Sequence, residues 1–195
     1  MKLGLYMATQ WRQGADLGPE LANLIEQVRT ARASGLASLM VGQHFVSSPL
    51  QMFQAMPLLA RLASEAEGMR LGPGLLLLPL LNPVVVAEET ATLDWLTGGN
   101  AIIGLGLGYR QEEFDSIGIP FKERVPRFVE GVEVIKKLCA TTSSSIAVAS
   151  IPSPRSRRAS NPSSPAARRS GWRATSRPRS GAPASSPTPG CPRRW

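Results

Sequence analysis

Histidine is almost missing from this chain of 195 residues: His44 is the only one. Metal sites built on paired imidazoles therefore have no ligands here, and nothing in the sequence supports a Ser-His-Asp triad around that one residue. Cysteine is equally sparse. Cys139 and Cys191 stand in stretches of different composition, which argues against a disulfide framework and leaves two unrelated thiols. No long apolar run occurs; residues 75–81 are interrupted by Pro79 and fall far short of the ~20 residues a membrane helix needs. The opening Met1-Lys2-Leu3-Gly4-Leu5-Tyr6-Met7 is too short for a signal sequence and has no small-residue cleavage pattern. The expectation is a cytoplasmic protein with no membrane partner. No Gly-Lys-Ser/Thr phosphate loop is present, and Gly106-Leu107-Gly108 is followed by Gln111 where a dinucleotide fingerprint needs glycine.

Acidic residues are absent after Glu133, and this splits the chain in two. The formal net charge is +8, but the body carries all 14 acidic residues against 12 Lys and Arg and is slightly negative. The other 10 basic residues are all Arg from Arg155 onward. From Ile151 to Trp195, 29 of 45 residues are Pro, Arg or Ser, with no hydrophobic period. Such a composition does not bury enough apolar surface to offset the entropy of ordering it. The expected organisation is residues 1–140 as the folded part and 141–195 as a disordered tail. One reading makes the tail an Arg-rich arm for nucleic acid or another polyanion. The other makes it a GC-rich gene read out of frame. The abrupt break and the lack of interleaved aromatics favour the second, so nucleic acid is not the expected partner.

What the body does contain is strand and helix in alternation. Lys2 to Met7 reads as a strand, and Leu21, Leu24, Ile25, Val28 and Ala31 keep helical spacing from Glu20 until Gly35. Ser38 to Gly42 is a second buried strand, and Ala55, Leu58, Leu59, Leu62, Ala63 and Ala66 mark a second helix. A Leu-rich strand lies between Gly68 and Leu81. Asn82 then caps a helix that has Pro83 at its first position and runs to Gly98-Gly99. The last helix carries Val125, Phe128, Val129, Val132, Ile135 and Cys139 on one stripe, with Pro126 tolerable only in its first turn. The alternation predicts an α/β fold with a parallel sheet and right-handed crossovers. Pattern alone leaves a doubly wound sheet and a barrel equally open. In both, ligands gather where strands end.

The fourth strand is unusual. Ile103, Leu105 and Leu107 fall on one face, while Gly104, Gly106 and Gly108 leave bare backbone on the other. In-phase glycines mark close approach of a ligand or another backbone. With Tyr109 and Arg110 following at once, the strand reads as a pocket floor with a polar rim, or as a tightly packed strand with an ordinary polar end. His44 ends the second strand and offers proton exchange near neutral pH, or a structural hydrogen bond. Glu112 and Glu113 read as the acidic first turn of a helix, and Arg124 and Arg127 as a solvated helix face.

Three segments together resemble the bacterial luciferase-like monooxygenases. They are Leu71-Gly72-Pro73-Gly74-Leu75 through Leu81-Asn82-Pro83, Ala87-Glu88-Glu89-Thr90-Ala91 through Thr97-Gly98-Gly99, and Gly104-Leu105-Gly106-Leu107-Gly108-Tyr109-Arg110-Gln111-Glu112-Glu113-Phe114. The resemblance spans about residues 1–140. It implies a TIM-type (β/α)8 barrel and an oxidoreductase using FMN or F420. The FMN enzymes would act on a small organic substrate with O2, and the F420 enzymes by hydride transfer. It implies a flavin ring over Gly74 and Leu75, where relatives often carry a non-prolyl cis peptide. Gly106, Gly108 and Tyr109 would line the cofactor, Arg110 the substrate mouth, and Arg124 the cofactor phosphate. His44 would be the catalytic proton-handling residue. Gln43 stands where the family commonly has Glu, and Asn100 where it commonly has Arg. The match stops after about four of the eight units of such a barrel. The expectation is therefore an N-terminal part, with an open strand edge that favours pairing into a homo-oligomer.

Overall fold

The computed structural model describes residues 2–141 and 147–150, with side chains described through residue 140. The boundary expected at residue 140 falls at the end of the last helix, and a further strand lies at Ala147–Ser150. The remainder of the expected tail, with its polyanion-arm and frame-error readings, lies outside the described residues.

Five parallel staves follow one another in chain order. β1 (Gly4–Met7) pairs with β3 (Ser38–Val41), and β3 pairs with β5 (Arg70–Pro73). The third stave is broken: after Pro73 it resumes as β6 (Leu76–Leu77), which pairs with β7 (Ile102–Gly106). The Leu71–Ala101 bridge joins β5 to this second group. β7 in turn pairs with β8 (Ala147–Ser150). A doubly wound sheet reverses its strand order at a switch point, and these staves never do, so the tie between sheet and barrel falls to the barrel. A two-stranded antiparallel ribbon of β2 (Gln10–Arg12) and β4 (Leu50–Met52) comes from the loops after the first two staves. Three residues per strand give too short a period to read from sequence.

The helices form where the sequence places their caps and stripes. α1 (Leu17–Ala33) begins three residues before Glu20, because the Asp16 side chain accepts the Gly18 amide at 3.0 Å. α2 (Ala55–Leu62) buries Ala55, Leu58, Leu59 and Leu62. α3 (Pro83–Leu96) starts as expected, with Asn82 accepting the Val84 amide at 2.9 Å. It ends on Thr97, and the Asn100 side chain donates from Nδ2 to the Thr97 carbonyl at 3.0 Å. α5 (Arg124–Thr141) buries Phe128, Val132 and Ile135, but Val129, expected on that stripe, is exposed. Between β7 and α5 lies the short α4 (Gln111–Ile117). Leu39, Val41, Leu71, Ile103 and Leu105 are fully buried in one apolar core with residues of α1, α2, α3 and α5.

The opposite strand face is kept narrow by glycine. A Cβ on Gly72 would drive into the Ile102 carbonyl oxygen of β7 and come within 2.9 Å of Ile102 Cγ1. The carbonyl belongs to backbone held by strand pairing, so it does not yield cheaply. Gly72→Ala is expected to destabilise the chain by about 3 kcal/mol, the upper part of the usual range for overpacking. Urea unfolding checks this, and an unchanged midpoint would show that β5 and β7 separate freely.

Burial raises the Cys139 thiol above its ordinary range, helped by the nearby Asp94 carboxylate. The reactive species is the thiolate. Maleimide labelling at neutral pH, read by peptide mass spectrometry, is expected to modify Cys139 more slowly in the folded chain than in urea.

Candidate functional site

Segments leaving the C-terminal ends of two staves, β3 and β7, converge on one carboxylate. His44 follows β3, Arg110 follows β7, and Glu113 lies on the first turn of α4. Glu113 Oε1 lies 2.9 Å from His44 Nδ1 and accepts the Phe45 amide at 2.9 Å. Arg110 Nη1 stands 3.8 Å from the same oxygen and donates to the Phe45 carbonyl at 3.4 Å. The Glu113 side chain is wholly buried, while the His44 side chain is 26% exposed. The ring is therefore held at Nδ1, and Nε2 has no hydrogen-bond partner among the described residues. Gln54 Nε2 donates to the His44 carbonyl at 3.0 Å, fixing the backbone from α2's side.

Glu113 is the residue that sequence reasoning missed. Both Glu112 and Glu113 satisfy the rule for an acidic first helical turn, and Glu112 is indeed exposed. Glu113 instead turns inward, next to the fully buried Phe114. The available signal was the adjoining apolar residue, which places that side of α4 against the barrel.

Gln43 is buried, and its Oε1 accepts the Leu77 amide at 3.0 Å, tying the second stave to the third. A carboxylate in that place would accept the same bond, so the change from the family's common Glu leaves this contact possible.

The glycine face of β7 differs from the bare floor expected. A Cβ on Gly104 would meet Leu75 Cδ2 at 2.9 Å and the Pro73 carbonyl oxygen at 2.8 Å. One on Gly106 would meet Leu75 Cδ1 at 2.9 Å. Leu75 occupies the space those glycines leave, so the floor is its side chain and not naked backbone. The Gly74–Leu75 peptide bond is cis, and both residues are half-buried. Gly108 lies beyond the strand at φ 74° under the ring of Phe114, where it serves packing.

The remaining expected residues lie around this end. Tyr109 is 75% exposed and meets His44 edge to face, with ring centroids 6.1 Å apart. Arg124, the first residue of α5, donates to the Phe121 carbonyl at 3.2 Å and stacks over the Phe121 ring at 4.0 Å. That ring packs with Phe45, Phe114, Leu77 and Leu80. Arg127, expected on a solvated face, donates to the Pro79 carbonyl at 2.9 Å and ties α5 to the turn after β6. Two surface hollows lie away from this end, one along α1 and one between Ala63 and Trp95. Among the described residues no group of His, Cys, Asp and Glu could hold a metal ion, and no helix is long and apolar enough to cross a membrane.

Comparison with known proteins agrees with this geometry. The chain is 32% identical over 111 residues to a 5,10-methylenetetrahydromethanopterin reductase of Methanopyrus kandleri, covering 57% of this chain and 29% of that protein. It is 29% identical over 144 residues to the 4-hydroxyprotoasukamycin monooxygenase of Streptomyces nodosus subsp. asukaensis, covering 71% and 37%. The chain thus spans about a third of the length of the relatives it matches. Among solved structures, the oxygenating constituent of 3,6-diketocamphane monooxygenase from Pseudomonas putida, in complex with FMN, superposes with a TM-score of 0.62. That superposition covers 71% of this chain and 39% of the other at 21% identity, and it shows the shared (β/α) barrel fold. The sequence profile of the luciferase-like monooxygenases matches residues 1–179. The chain belongs to the luciferase-like monooxygenase family.

Proposed function

We propose that this chain forms the ring-binding side of a flavin- or F420-dependent oxidoreductase, with monooxygenation of a small organic substrate as the first reading and F420-dependent hydride transfer as the alternative. The observation that carries it is His44, held at Nδ1 by a buried carboxylate and without a hydrogen-bond partner at Nε2 among the described residues, at the same end of the staves as the half-buried Leu75. A planar redox ring needs an apolar surface to lie on and a proton-handling group at its edge. Leu75 supplies the first, seated on the glycines of β7, and His44 the second. FMN would supply oxygen activation when bound, and F420 would supply hydride transfer. Relatives of both kinds, the reductase and the monooxygenase, support keeping the two together.

The chain's own residues divide the work. Leu75 and Gly74 would support the ring, and Gly106 and Gly108 act beneath it by admitting Leu75 and Phe114. His44 would hold or accept a proton at Nε2. Tyr109 would cover the imidazole from solvent, and Arg110 would face an anionic part of the substrate or ring. Arg124 would meet the cofactor phosphate from the neighbouring helix, once released from the Phe121 carbonyl. A cytoplasmic setting goes with this reading.

Fluorescence titration of FMN and of F420 against the chain tests it. Quenching of one dye, weakened by a bulkier or charged residue at Leu75, is the supporting result. No quenching of either at millimolar chain would remove the ring from this end of the barrel. Self-association is a second expectation, because β1 and β8 each pair on one side only among the described residues. Size-exclusion chromatography with and without the cofactor reads it directly.

A further inference from the structure

Among the described residues Glu113 is the only charged side chain that is wholly buried. Its Oε1 has two donors at 2.9 Å and a guanidinium at 3.8 Å, and its Oε2 has no partner among the described residues. Burying a carboxylate with one oxygen unpaired is costly, and a helix first turn alone would not require it. Glu112, one position earlier, faces solvent and would have served the helix equally well. The arrangement makes sense as a device directed at the imidazole.

We propose that Glu113 is a positioning residue that holds His44 as the Nδ1–H tautomer, so that Nε2 offers a lone pair to whatever lies at the barrel mouth. The Phe45 amide is a fixed donor, so the oxygen it meets acts as an acceptor. A carboxylate oxygen is acceptor-only, so the Nδ1 that faces it at 2.9 Å carries the hydrogen. Arg110 reaches the Phe45 carbonyl while standing beside the same carboxylate, and so pins the residue-45 backbone from its other side. When Nε2 takes a proton, the ring becomes an imidazolium with both nitrogens as donors, one already on Glu113. Among the described residues the charged and titratable groups at the ring are Glu113 and Tyr109, with Arg110 beside the Glu113 carboxylate. The use of that lone pair in catalysis rests on the function proposed above, but the tautomer does not.

A single histidine makes the test direct. In the chain labelled with 15N-histidine, the long-range proton–nitrogen spectrum contains one pair of ring nitrogens, read at a pH where the ring is neutral. The expected result is an excess of the Nδ1–H form of at least about tenfold, the bias given by one hydrogen bond to a charged acceptor. In Glu113→Gln that excess falls about tenfold, and in Glu113→Asp it is partly kept. A wild-type spectrum dominated by the Nε2–H form would overturn the proposal, as would an unchanged ratio in Glu113→Gln. If that variant fails to fold, the wild-type spectrum decides alone. A chain that shows the Nδ1–H form yet quenches neither FMN nor F420 keeps the positioning role and rejects the cofactor reading.

Discussion

Replacing the histidine equivalent to His44 with Asn in a full-length relative is expected to lower turnover at least tenfold while leaving the fold intact. General acid–base groups commonly contribute about 10² to 10⁴ in rate, and asparagine has no proton to exchange near neutral pH. The cost to stability is expected to stay near 1 kcal/mol, the scale of one hydrogen bond. The side chain here is a quarter exposed, and Glu113 keeps its bond to the Phe45 amide after the change. Steady-state kinetics with a parallel urea melt separates the two effects. Unchanged turnover would return His44 to a structural role, and a large drop in stability would show that the His44–Glu113 bond holds the fold.

Phe114→Ala is expected to have the largest effect on stability, about 3–5 kcal/mol, as for other fully buried aromatic truncations. The ring has no exposure, meets Phe121 edge to face at 5.0 Å, and lies against Gly108. It also holds α4 in place. A helix of seven residues has too few internal bonds to persist alone, so its attachment comes from Phe114 beneath it. Loosening α4 would carry Glu113 away from His44. Urea unfolding should therefore show the loss of stability, and the ring-nitrogen spectrum of His44 should lose its tautomer bias in the same variant. A loss of stability with the bias retained would mean that Glu113 is held independently of Phe114.

These two residues show how far local rules reach. The spacing of Leu24, Val28 and Ala31, the Asn82-Pro83 helix start, and the in-phase glycines of β7 were all legible, because each rests on a backbone period or a local cap. The start of α1 was misplaced by three residues because Asp16 caps it from outside the apolar stripe. The ribbon of β2 and β4 was missed because three-residue strands have no measurable period. The site was half legible. His44, Leu75, Tyr109 and Arg110 do gather at one end of the barrel, since chemistry at strand ends follows from topology.

By itself the sequence determined the alternation of strands and helices, the apolar faces, and the absence of side chains at residues 104 and 106, since these depend on neighbours a few positions away. Tertiary structure alone decided that Leu75 fills the room left by those glycines and that Glu113, not Glu112, meets His44. His44 and Glu113 are 69 positions apart, and adjacent helical residues point about 100° from each other. Which of two neighbouring carboxylates is buried therefore depends on how α4 is rotated against the barrel; Phe114 beside Glu113 marks that side, but the rotation itself is set by packing against Leu77 and Leu80, residues distant in sequence.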